Sequence, residues 1–207
     1  MWAKKIIAIS DSKIMEGDFL KYIEKLARAK VDGLVLREKH LSEEEYYDLA
    51  KEVLKICKKN NLNCILHNFD RVSLKLDHRF FHAPLDLLRK NSKLYRYFHI
   101  LGTSIHSKEE LYEAMMYKVN YAFVGHIFNS SCKINLQPCG LDFMKELLMV
   151  SKIPLYAIGG INLQNISKFK DLDIAGVCIR EAFMYQEKIK HYVNECKNRL
   201  NIRTYDE

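Results

Sequence analysis

Residues 33–67 read GLVLREKHLSEEEYYDLAKEVLKICKKNNLNCILH, and this stretch decides the fold. It opens on an apolar run at 33–37 and closes on another at 64–67. Neither run alternates polar and apolar residues, as expected of parallel strands buried on both faces. Between them, residues 42–60 have helical spacing, with Leu49, Val53 and Ile56 as the apolar stripe. Ser42 and Glu45 stand at the capping-box spacing, in which each side chain satisfies the other residue's free backbone N–H. Acids early and lysines late in this segment suit the helix dipole.

The same alternation extends outward in both directions. Six further apolar runs, at 5–10, 79–82, 97–102, 121–126, 154–158 and 176–179, bring the number to eight. Helical patterns fill 19–29, 107–117, 141–151, 165–170 and 185–200, and the link from 67 to 79 has room for one or two helical turns. Ser107 and Glu110 repeat the capping-box spacing. Divided by eight, the 207 residues give units of about 26, close to a compact βα repeat. No Pro/Gly/Ser-rich linker divides the chain. The sequence therefore predicts an α/β protein with one domain over 1–207, a (β/α)8 TIM barrel. A doubly wound open sheet is the alternative, but it would leave one or two strands unplaced.

Composition narrows the function. Lys and Arg total 33 against 26 Asp and Glu, a net charge of +7. The lysines are spread over predicted helix surfaces, so no nucleic-acid partner is expected. An anionic small molecule held by a few cations fits the charge equally well. The six cysteines form no CxxC, and Cys132 and Cys139 match no zinc pattern, so no metal site is expected from them. Cys64 and Cys178 lie in apolar runs and read as core thiols. No apolar stretch is long enough for a signal peptide or a membrane span, which points to a cytoplasmic protein.

A barrel places its chemistry at the C-terminal ends of its strands. Those ends read Ser10-Asp11, Arg37-Glu38-Lys39, His67-Asn68, His82, Thr103-Ser104, His126, Gly159-Gly160 and Arg180-Glu181. The glycine pair lets backbone N–H groups approach an anion, although an ordinary turn with Asn162 as a cap accounts for it too. His126 is either an acid/base near neutral pH or a buried core histidine. Arg37 and Lys39 flank Glu38, which reads as an anion site with the acid orienting a cation, or as a surface ion pair. In the loop after His126, Lys133 is an anion-binding or solvated lysine, and it could activate Cys132. His78 and His82 have metal-compatible spacing for a helix but sit in a strand-like run, so they predict no metal.

These positions carry a resemblance. GHIFNSSCKINLQPCG at 125–140, IPLYAIGGI at 153–161, LREK at 36–39 and GTSIHS at 102–107 together resemble the thiamine phosphate synthase/TenI superfamily. Because His126 stands where the synthases have Pro, the chain looks most like the TenI branch, the thiazole tautomerases. That branch implies an isomerase of thiamine biosynthesis that aromatises a thiazole carboxylate phosphate without a cofactor. His126 would be the acid/base and Lys133 a catalytic cation. The resemblance implies substrate contacts from Arg37, Lys39, Asn68, Ser104 and Cys132. Phosphate contacts would come from Gly159, Gly160, Arg180 and Glu181, although the family has small residues where these last two stand.

The synthases use an Asn-Asp-Arg motif after the third strand and Gly-Gln-x-Asp after the fourth, supplying Mg²⁺ ligands. Here Phe69 takes the first Asp position and the second motif lacks Gly-Gln. The alternative reading is a synthase with Asp70 and Asp86 as displaced Mg²⁺ ligands, coupling hydroxymethylpyrimidine pyrophosphate to thiazole phosphate. A third is a non-catalytic thiazole-phosphate-binding regulatory protein. The partner in every case is a small phosphorylated thiazole, and the resemblance implies a homodimer.

Overall fold

A computed structural model describes residues 4–130 and 136–202. Eight parallel strands close into one barrel in sequence order. They are β1 (Lys5–Ile9), β2 (Gly33–Leu36), β3 (Cys64–His67), β4 (Phe80–Ala83), β5 (Ile100–Ile105), β6 (Tyr121–Val124), β7 (Leu155–Ile158) and β8 (Gly176–Ile179). The closure pairs β1 with β8, with Ile7 opposite Cys178. The helices are α1 (Phe19–Arg28), α2 (Glu43–Lys59), α3 (Asp70–Lys75), α4 (Leu85–Lys90), α5 (Lys108–Met116), α6 (Gly140–Val150), α7 (Glu181–Met184) and α8 (Ile189–Arg199). The predicted (β/α)8 barrel is the observed fold.

Both faces of the strands are apolar because each packs a different layer. Ile7, Ile9, Val35, Phe123 and Cys178 fill the barrel interior, with Tyr156 and Ile158 against them. Their neighbours Ile6, Ala8, Leu34, Leu66, Phe81 and Val177 face the helices. This double burial explains the missing period-two pattern. Gly102 is needed on the inner face because the Tyr121 ring lies where its Cβ would be. The expected core thiols Cys64 and Cys178 are buried.

Local chemistry sets the helix starts. Ser42 and Glu45 form the reciprocal capping box at α2. At α5, Ser107 accepts from the Glu110 backbone N–H, but the Glu110 carboxylate turns to the His106 N–H instead. The buried Tyr46 of α2 ties two strand ends together. Its hydroxyl donates to the Leu36 carbonyl at 2.7 Å and accepts from the His67 N–H at 2.9 Å.

Three expectations need correction. The fifth strand was expected at 97–102 and lies at Ile100–Ile105, because Phe98 stacks on Phe81 before the strand begins. The 165–170 helix is only a 3-10 turn, Ile166–Phe169. The helix expected at 185–200 starts later, as α8 at Ile189–Arg199, and the short α7 at Glu181–Met184 precedes the expected range. Among the described residues, no helix is long and apolar enough to cross a membrane.

Candidate active site

The strand ends converge on a cavity of about 410 Å³ at the C-terminal mouth of the barrel. Of the residues singled out in the sequence, Arg37, Ser104, His126, Gly159, Gly160, Arg180 and Glu181 line it together. Lys39 is exposed and Asn68 half-buried, and neither is among the lining residues. Cys132 and Lys133 lie outside the described residues.

Asp11 is the hub of this mouth, and the sequence reading did not single it out as a site residue. Its Oδ2 lies 2.8 Å from an Arg180 guanidinium nitrogen and 3.6 Å from one of Arg37. One carboxylate thus holds two cations that arrive from β2 and β8. Glu38 does not orient either of them, contrary to expectation. It is buried and accepts from the Ser10 hydroxyl, the Ser12 N–H and the Ser12 hydroxyl. The outward direction of Glu38 follows from strand alternation, since Arg37 beside it points inward.

The glycine pair behaves as its position suggests. Gly159 and Gly160 adopt φ of 101° and 65°, a region open to glycine at little cost. A Cβ on Gly159 would meet the backbone and Cβ of His126, and one on Gly160 would meet the Asn129 carbonyl. Asn162 caps the turn that follows, accepting from the Gln164 N–H at 2.9 Å. His126 lines the cavity, and its Nε2 is 3.1 Å from the Leu136 carbonyl oxygen. That contact ties His126 to the segment that enters α6.

Below the mouth sits an imidazole pair also absent from the expected site set. His67 and His82 face each other across β3 and β4, stacked at 5.6 Å between ring centroids. His82 reaches Tyr121 through Nδ1 at 3.1 Å and Ser104 through Nε2 at 2.9 Å. Burial, and then the Lys39 charge, push its pKa down to about 3. Burial, His82, Lys39 and Arg37 hold His67 well below the usual histidine value. The buried Nδ1 of His67 has no hydrogen-bond partner among the described residues. The signal for this pair was parity: each histidine stands two residues past an inward-facing Ile65 or Phe80.

Of the two acids that the synthase resemblance implies as Mg²⁺ ligands, Asp70 opens α3 and Asp86 stands in the first turn of α4. The Phe69 ring packs on Tyr46 at 4.8 Å. The exposed Asp86 pairs with Arg89 at 2.8 Å, and Arg89 also grips Glu113. Among the described residues, no three His, Cys, Asp or Glu side chains converge as a metal site.

Fold and mouth together define a closed parallel (β/α)8 barrel with Arg37 and Arg180 at its strand ends. Residues 6–183 match the family model described as thiamine monophosphate synthase, and the chain belongs to that TMP-TENI family. A thiamine-phosphate synthase of Clostridium acetobutylicum is 31% identical over 190 residues, 90% of each chain. One of Clostridium tetani is 28% identical over 93% of this chain and 94% of its own. The thiamine phosphate pyrophosphorylase structure from Pyrococcus furiosus superposes with a TM-score of 0.81 at 19% identity, covering 95% of each chain. That last likeness bears on the fold alone.

These relatives correct the expectation of a thiazole tautomerase. Curated proteins matching nearly the full chain are named thiamine-phosphate synthase, a transferase, and not an isomerase. The tautomerase branch rested mainly on His126, whose ring nitrogen is engaged with the Leu136 carbonyl. One residue at a strand end is weaker grounds than identity spread over the whole barrel.

Proposed function

We propose that this protein is a thiamine-phosphate synthase, a transferase that couples hydroxymethylpyrimidine pyrophosphate to thiazole phosphate. In that reaction the bond from the pyrimidine methylene to pyrophosphate breaks, and a bond to the thiazole nitrogen forms. The observation that carries the reading is the 31% identity to a curated synthase across 90% of both chains.

The mouth supports it. The Gly159 and Gly160 backbone amides, with Arg180 and Glu181 beside them in the cavity, are the proposed phosphate corner. Arg37 and Ser104 line the same space, and Lys39 and Asn68 stand at the neighbouring strand ends as further substrate contacts. The arrangement binds and orients two anions so that the nitrogen of one meets the carbon of the other. Cationic groups offset the charge that develops on departing pyrophosphate.

The test is to incubate the purified protein with both substrates, with and without Mg²⁺, and to detect thiamine phosphate by mass spectrometry. Product with turnover supports the reading. Binding of thiazole phosphate with no product under either condition supports a non-catalytic binding protein instead. That second reading is favoured by one observation, the Asp11 carboxylate already seated on Arg180.

A further inference from the structure

We infer that Tyr121, the first residue of β6, is a positioning residue for Ser104: acting through His82, it fixes the Ser104 hydroxyl as a hydrogen-bond donor into the mouth. The inference deepens the synthase reading above and rests on it for the substrate.

Strand register brings the three side chains together. His82 of β4 stands opposite Gly102 of β5, and Gly102 stands opposite Tyr121 of β6. Gly102 has no side chain to separate the two rings, and the Tyr121 ring lies where its Cβ would be. Tyr121 and His82 therefore meet across the intervening strand, at 3.1 Å from the hydroxyl to Nδ1. Ser104 stands two residues beyond Gly102 on β5 and so faces the same side. Its hydroxyl is 2.9 Å from His82 Nε2, and Ser104 lines the mouth cavity. Phe123 stacks on His82 at 4.3 Å between centroids and lies 5.1 Å from the Tyr121 ring. His82 is thus held by its face as well as by both nitrogens.

Burial then assigns the protons. Tyr121 is buried, and among the described residues its hydroxyl has His82 Nδ1 as its hydrogen-bond partner. A proton on Nδ1 would make the phenol an acceptor and leave its own O–H in the core without one, the costlier arrangement. The phenol therefore donates and Nδ1 accepts. Burial keeps the imidazole neutral, so its one proton sits on Nε2. Nε2–H donates to Ser104 Oγ. The serine O–H cannot point back at a nitrogen that already bears a proton. Among the described residues it has no other partner, so it is presented to an acceptor atom of a substrate in the cavity.

The experiment is heteronuclear NMR of the full chain with isotope-labelled histidine, which reads the tautomer of each ring, with His82→Gln assigning the His82 signals. A proton on Nε2 and a hydrogen-bonded Nδ1 are expected in the unmodified protein. In Tyr121→Phe the tautomer is no longer fixed, and signals of both forms should appear. With thermal midpoints verifying folding, the KM for one of the two substrates should rise at least fivefold in this variant while kcat stays within twofold. A proton on Nδ1 in the unmodified protein overturns the inference, as does a Tyr121→Phe variant with tautomer and KM both unchanged. The expected tautomers without thiamine phosphate formation by any form of the protein count against the synthase reading alone.

Discussion

The carboxylate of Asp11 and the guanidinium of Arg180, 169 residues apart in sequence, meet at 2.8 Å across the seam where the first and last strands close the barrel. Both side chains are largely withdrawn from solvent, at 12% and 17% exposure, so the pair is screened less than a surface bridge. Asp11→Asn removes the charge that holds Arg180 and Arg37. It should lower stability by roughly 1.5–3 kcal/mol, the range for a hydrogen bond to a charged group. Urea unfolding measures this, and an unchanged midpoint would show that the pair contributes nothing to closure.

Gly160→Ala addresses the proposed phosphate corner. Its positive φ of 65° and the nearby Asn129 carbonyl leave no place for a Cβ. The peptide must shift, and its amide leaves the cavity. Affinity for thiazole phosphate should fall at least tenfold by calorimetry. Retained affinity would mean that phosphate sits elsewhere in the mouth.

The imidazole pair makes stability depend on pH in a stated direction. His82 is held neutral at a pKa of about 3, against an unfolded value near 6.5. Below pH 6.5 the unfolded chain takes up a proton that the folded chain refuses. Stability from this group is therefore complete above pH 6.5 and is lost as pH falls toward 3, by about 2 kcal/mol at pH 5. His67 acts in the same direction. Unfolding followed from pH 7.5 to 4.5 should show this decline, and His82→Gln should flatten it. A slope identical in the variant would remove His82 as its source.

Ser42→Ala tests the capping box at α2. It leaves the Glu45 N–H without its acceptor at the head of the helix. A loss of about 1 kcal/mol is expected in denaturant unfolding. A change below the precision of the measurement would assign the start of α2 to packing alone.

Much of the barrel was legible because burial on both faces leaves unbroken apolar runs, as in Ile6–Ile9 and Gly33–Leu36. The fifth strand was misplaced because its second half carries polar residues. Thr103 turns outward to the Ala83 carbonyl, while Ser104 turns inward to His82. A polar residue with a specific partner looks, in sequence, like the end of a strand. Seven of the expected site residues share one cavity because strand ends converge by geometry. Asp11 stayed hidden because its partners come from the ends of β2 and β8, and no local spacing reports such contacts. The branch assignment failed because it rested on one residue, His126, while the curated relatives match over nearly the whole chain.

Tyr46 gives α2 an influence beyond packing. A single hydroxyl on that helix is bonded to the backbone just before Arg37 and to the backbone of His67 itself. Any rotation of α2 about its axis is thus transmitted, through one rigid aromatic ring, to the spacing of a mouth cation and an interior imidazole. The outer helix layer acts as an adjusting screw for the mouth. Drift in residues of α2 away from the cavity can shift this mouth while leaving the residues of its strand ends unaltered.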